Sequence, residues 1–280
     1  MRGRRIDVAS LLLRTAMLLA VVITFAGLLF LVAHIMSHGL RYLKPGLFNW
    51  TYDSDNLSMM PAIINTLEMV VLSLLLAGPV GVGAAVYLNE YAKPGNRLVP
   101  IVRLTAETLS GIPSIVYGLF GALFFVKGLG WRLSMASGVG TLAIMILPLI
   151  MRTTEEALKS VPDDYRQGSY GLGAGKLRTV FSIVLPAAMP GVMAGIILAI
   201  GRIVGESAAL IFTAGTVAQA GAGLGSPART LAVHLYVLSN EGLHINETYA
   251  TAVVLLIVVL LINALSDAIG RMLMRRSSHG

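Results

Sequence analysis

Arg202 and Glu206 lie four residues apart in an otherwise uncharged apolar run, flanked by Ala199-Ile200-Gly201 and Ala208-Ala209-Leu210. In hydrocarbon a charged side chain costs at least about 2.5–3.5 kcal/mol, so each must face a cavity or a partner. On one straight helix, positions i and i+4 share a face, and the two could neutralise each other as an ion pair between helices. Alternatively, Arg202 meets an anion in transit. Its planar fork of donors matches phosphate oxygens, and Glu206 would then limit how tightly the anion is held. A helix rising about 1.5 Å per residue places Arg202 roughly 24 Å beyond Pro186, at the midplane of a bilayer or in its outer half.

Other residues are candidates for lesser roles. Glu107 precedes Pro113 by six positions, and a proline that removes a backbone donor bends a span. Both are candidates for a gate or kink, against a water-facing acid and a packing kink. Gly78, Gly81 and Gly83 allow close helix approach. His34 and His38 share the i,i+4 spacing of metal ligands but have no acidic partner nearby, so they read as interfacial. Glu68 reads as a solvated acid at the start of a span. Gly175-Lys176 imitates a phosphate-binding loop, but that motif needs Gly at 170 and Ser or Thr at 177, where the chain has Tyr170 and Leu177. No nucleotide site is expected, and no metal.

The medium follows from composition. Hydrophobic residues are 56% of the 280 and charged ones 12%, with a mean hydropathy of +0.79. Soluble domains carry about a quarter of charged residues, so lipid is the main solvent. Uncharged runs long enough to cross about 30 Å of hydrocarbon cover 15–40, 69–89, 108–126, 133–151, 179–201 and 248–266. A further run, 207–228, ends in Gly221, Gly223, Gly225 and Pro227 and reads as loop or re-entrant backbone. The expectation is an all-α polytopic protein with six transmembrane helices, the first of them uncleaved. Of the 21 Lys and Arg, only Arg41, Lys44, Lys127, Arg132 and Arg229 then fall outside, and Arg202 falls within a span. The remainder, including Arg2, Arg4 and Arg5, fall inside, which puts both termini in the cytoplasm. The net charge of +7 needs no nucleic acid to explain it, and the absence of cysteine excludes disulfides.

The inner segment from about 152 to 185 is long. Ser160 as cap, Pro162 in the first turn and the acids Asp163 and Asp164 predict a short helix over 161–170. Gly171, Gly173 and Gly175 break it, and 176–184 leads back to the membrane. The segment resembles the cytoplasmic signature of ABC importer permeases: a triplet E-A-A, then glycine, then I-x-L-P. Gln167-Gly168-Ser169 stands in the triplet's place, Gly173 supplies the glycine, and Ile183, Leu185 and Pro186 supply the end. Gln167 replaces the signature's acid. The resemblance implies a coupling helix that docks on an ATPase.

Gly201-Arg202-Ile203-Val204-Gly205-Glu206-Ser207-Ala208 is similar to the A-R-I-A-G-E-T-A segment of the PstA-type permease family of phosphate importers. Gly111 to Gly118 and Thr230 to Tyr236 also resemble segments of those permeases, the second an outer loop. The resemblance implies a type I (MetI-like) ABC importer permease in a bacterial inner membrane. On that pattern residues 1–60 form a first helix and outer loop, 61–270 the permease unit with its coupling loop at about 153–185, and 271–280 a cytoplasmic tail. The implied partners are a sister permease (PstC type), an ATPase dimer (PstB type) that binds ATP-Mg, and an extracytoplasmic phosphate-binding protein (PstS type). This chain would bind no cofactor and catalyse nothing. Competing readings are a permease for sulfate or molybdate, a self-contained secondary transporter, and an intramembrane enzyme acting on a lipid phosphate. The enzyme should show a nucleophile or proton shuttle beside Arg202, and the secondary transporter an internal repeat with paired broken helices. Neither is legible.

Overall fold

The computed structural model describes residues 8–93, 95–221 and 223–277. Arg2, Arg4, Arg5 and the end of the tail, 278–280, lie outside the described residues. Among those described, the chain is helical without strands. Helix α1 (Val8–Gly39) is apolar all round and exposes its surface; only its outer end is packed closely, where Gly39 meets Tyr249 and Val253. Helix α2 (Met60–Val86) continues through a wider turn over 87–91. Helix α3 (Leu98–Ser110) and α4 (Ser114–Gly121, widened over 122–128) meet at 103°. Helix α5 (Met135–Lys159) leads to α6 (Asp163–Gly171) on the inner side. The short α7 (Lys176–Thr179) runs without a break through 180–184 into α8 (Leu185–Val204). After α9 (Ala208–Thr213) come an irregular stretch, α10 (Leu231–Glu241) and the long α11 (Ile245–Ser277). Five helices are long and apolar enough to span a membrane, or six if the bent α3–α4 pair counts as one.

Helix α5 is the centre, because its apolar residues lie between α2 and α8. Leu142, Met145, Ile146 and Ile150 are sealed against Met69, Ala77, Ala199, Ile200 and Ile203. Small residues set the approach: a Cβ on Gly81 would meet Ile150 at 3.0 Å, whereas Gly78 and Gly83 face open space. Between α4 and α9, a Cβ on Gly118 would lie 2.7 Å from the Ala209 backbone.

Several expectations are corrected. The third span is longer than 108–126, and the bend expected at Pro113 is a sharp corner between α3 and α4. The chain turns at Gly111-Ile112-Pro113, where the Tyr117 hydroxyl donates to the Leu109 carbonyl at 2.8 Å and secures the corner. The second span starts at Met60, so Glu68 lies well inside α2. Helix α5 does not stop at 151. It runs two turns past the apolar stretch because Arg152–Glu156 (3.0 Å) and Glu155–Lys159 (2.7 Å) pair at i,i+4. Ser160 is therefore the C-cap of α5, its hydroxyl donating to the Ala157 carbonyl, and Pro162 is the N-cap of α6. The stretch 214–230 is irregular, as its glycines suggest, with φ of +89° at Gly215 and Gly223. The segment that resembles an outer loop is helix α10, which Thr230 opens by accepting from the Val233 N–H.

Together, 43–59, the described residues of 214–230 and α10 form a cap on the N-terminal end of α2. Asn65 donates to the carbonyls of Gln219 and Arg229 at 2.8 and 3.0 Å, and Thr66 accepts from the Leu231 N–H. Within the cap, the Arg229 guanidinium lies over the Tyr52 ring and donates towards His234 Nδ1 at 3.3 Å. His234 is fully buried. Burial, and after it the Arg229 charge, lower its pKa from 6.5 to about 4. The unfolded chain then binds more protons than the folded one between these values, so stability falls as pH drops through that window. Thermal unfolding of detergent-solubilised protein should show a lower midpoint at pH 4.5 than at 7.5, with a flatter response in His234→Gln; equal responses would remove His234 from this role.

Candidate functional site

The α8 helix carries Arg202 to within three residues of its C-terminus, and there the backbone breaks. Gly205 and Glu206 close the last turns through N–H bonds to the carbonyls of Gly201 and Ile203. Glu206 is thus off the helix and 7% exposed, and its carboxylate accepts from the Ala209 N–H at 3.0 Å. An acid at the start of α9 is favoured by the unpaired N–H groups there. Of the two readings, the i,i+4 ion pair is not made: among the described contacts no bond joins Arg202 to Glu206. The break puts Glu206 between α8 and α9 and engages its carboxylate with the Ala209 N–H.

Half-buried, Arg202 lines a recess of about 580 Å³ with Leu149 of α5, Ala194, Leu198 and Gly201 of α8, and Asn263 of α11. A second recess of about 340 Å³ shares Ala194 and Ile197 with it and reaches Asp267 and Arg271. The furrow between α8 and α11 therefore continues from Arg202 towards the inner end of α11. Water entering it would hydrate the guanidinium, and an anion entering it would meet the fork.

The kink candidates lie elsewhere. Pro113 is the N-cap of α4 and ends the 111–113 corner. Glu107 is exposed beside Arg103, Arg152, Glu155, Glu156 and Lys159, which line a polar recess of about 200 Å³. There Glu155 is buried between Arg103 (2.6 Å) and Lys159 (2.7 Å). His34 and His38 sit with Tyr249 at the outer end of α1, their ring centroids 4.2 Å apart. Among the described residues no cluster of three metal-binding side chains occurs.

Helix α6 presents Gln167, Gly168, Tyr165 and Tyr170 to the outside of the bundle, and Leu172 is 91% exposed. Ser169 faces inward and shares a 2.8 Å hydrogen bond with Thr179 of α7. Gly173 ends α6 at φ +84°, its N–H bonded to the Tyr170 carbonyl. No atom crowds a Cβ there, so the need for glycine is conformational. Ile183 lies in the widened turn that runs into α8, and Leu185 and Pro186 follow it at the start of α8, where the wider turn accommodates a proline that has no N–H to donate.

The sequence reading missed Arg166 and Glu90. Arg166 donates to Glu90 at 2.7 Å, to the carbonyls of Leu158 and Val161 at 3.0 and 2.9 Å, and to Asp163 at 3.1 Å. The hydrogen bond to Glu90 raises the Arg166 pKa above its ordinary value. A charged pair 76 positions apart leaves no periodic trace; the only available signal was an acid, Glu90, at the end of an apolar run.

The family model for the binding-protein-dependent transport system inner membrane component matches residues 77–279. The chain is 36% identical over 231 residues to the probable ABC transporter permease protein YqgI of Bacillus subtilis, covering 76% of this chain and 78% of that one. It is 32% identical to the PstA homolog phosphate permease of Mycoplasma pneumoniae (74% of this chain, 33% of that one) and 39% identical to PstA 1 of Mycobacterium tuberculosis (55% and 49%). The match thus spans half or less of the length of those two relatives. Among solved structures, the MetNI methionine ABC transporter superposes with a TM-score of 0.60 at 22% identity, over 85% of this chain and 97% of that one. A bacterial alginate ABC transporter gives 0.70 at 16%, over 96% and 97%. The fold is that of type I ABC importer permeases, and this chain belongs to the family of inner-membrane components of binding-protein-dependent transport systems, a transport component and not an enzyme.

Proposed function

We propose that this chain is one half of the membrane pathway of an ATP-driven importer of inorganic phosphate. The observation that carries the reading is an arginine inside the bilayer that has no carboxylate partner among the described contacts and opens on a 580 Å³ recess. Such a charge is tolerated when water or an anion reaches it, and the fork of a guanidinium suits a tetrahedral oxyanion. Relatives named as phosphate permeases support phosphate over sulfate or molybdate. The partners are a sister permease of PstC type, an ATPase dimer of PstB type that binds the ATP-Mg, and an extracytoplasmic receptor of PstS type. The α6 segment with Gln167 and Gly168 outward docks on the ATPase, and both termini are cytoplasmic. Glu206 shapes the break beside Arg202, while Glu107 and Pro113 act at the α3–α4 corner.

Arg202→Lys keeps the charge and loses the fork. Phosphate uptake by the assembled transporter should fall by about tenfold or more, in line with roughly 1–3 kcal/mol for charge-assisted bonds, while the sister permease and ATPase still co-purify. Uptake at the parental rate would remove Arg202 from the pathway, and parental competition by sulfate would reassign the substrate. Gly173→Val forces a branched side chain into a left-handed conformation at a cost of about 1–3 kcal/mol. Retention of the ATPase, or phosphate imported per ATP, should drop; no change in either would place the docking surface elsewhere.

A further inference from the structure

Arg166 lies in the docking segment but points away from the docking face. Its side chain is 14% exposed, whereas Tyr165, Gln167, Tyr170 and Leu172 around it are open. Each guanidinium nitrogen is engaged. Nε and Nη2 hold the Glu90 carboxylate, Nη2 also holds the Leu158 carbonyl, and Nη1 holds the Val161 carbonyl and Asp163. Glu90 has a side chain only 5% exposed and ends the extension of α2. Leu158 belongs to the last turn of α5. One side chain of α6 therefore joins α6 to the inner ends of the two helices that form the centre of the bundle.

A second tie runs from the same segment. Ser169 bonds Thr179, and from Thr179 the chain continues helically through 180–184 into α8. A push on α6 thus reaches α2 and α5 through Arg166, and α8 through Ser169. Without the Arg166 tie, α6 would remain joined to the core mainly through Ser169, the short turn to α5 and apolar contacts. Lysine could not replace it, because a single ammonium cannot hold a carboxylate and carbonyls on separate elements in one plane.

We propose that the Arg166–Glu90 pair is the node that transmits movement of the docking helix to α2 and α5, and that these are positioning residues for transport. The inference takes phosphate as the transported ion from the reading above. Import by the parent transporter checks that reading by itself, and import per ATP in variants checks the node. The test uses the complete transporter in liposomes, with sister permease, ATPase and phosphate receptor, carrying Arg166→Lys or Glu90→Gln. The ATPase should co-purify as in the parent and hydrolysis should persist, because the outward face of α6 is untouched. Phosphate imported per ATP hydrolysed should fall by roughly tenfold or more, since a buried pair that loses one partner no longer constrains the other. Unchanged import per ATP would overturn the proposal, and so would a parallel fall in hydrolysis and import, which marks a prop without a transmitting role. Should Arg166→Lys fail to assemble, the near-isosteric Glu90→Gln decides alone.

Discussion

A guanidinium held in hydrocarbon is the constraint on which the rest of this structure depends. Arg202 can be buried among apolar helices only if something polar meets it, and the chain does not supply that from Glu206. The α8–α9 break removes the acid from the arginine's face and engages it with the Ala209 N–H. The recess beside Arg202 is lined by Leu149, Ala194, Leu198, Gly201 and Asn263, and Tyr117 lies near enough to feel its charge. A structural ion pair would have sealed the position; the break leaves it available.

The bundle holds that opening in place. Helix α5 is packed on both sides by α2 and α8, which fixes α8 along its length. The α3–α4 corner packs its second limb on α9, with Gly118 against Ala209, so the two interrupted segments brace one another where neither could be stable alone. At the inner ends, Val86, Leu158, Val161, Val180 and Val184 form a separate apolar cluster beneath the docking helix. Two discrete polar ties, Arg166–Glu90 and Ser169–Thr179, join α6 to this packed unit.

Much of this was legible in the residues. Long uncharged runs identify spans because lipid admits few charges, and the glycines after Tyr170 mark where α6 ends before the chain returns through α7 to α8. Arg202 and Glu206 stood out because no other charge lies near them in an apolar run. Of the two readings of Arg202 and Glu206, sequence spacing could not exclude the i,i+4 pair, because a glycine such as Gly205 is usually tolerated within a helix, whereas here α8 ends at it. Pro113 announced a bend, but its 103° depends on the Tyr117–Leu109 bond and on α9, which no local pattern encodes. The inner turns of α5 were missed because charge was read as the edge of the membrane, where it marked only the edge of the lipid and not of the helix. The Arg166–Glu90 pair is a product of tertiary folding alone.

Because the chain contains no cysteine, a single introduced thiol can report on the recess directly. In the assembled transporter, Ala194→Cys should react with a membrane-impermeant, water-borne thiol reagent, and inorganic phosphate should slow that reaction while sulfate does not. Reaction only with lipid-soluble reagents, unaffected by phosphate, would show that no aqueous route reaches Arg202 and would contradict the account.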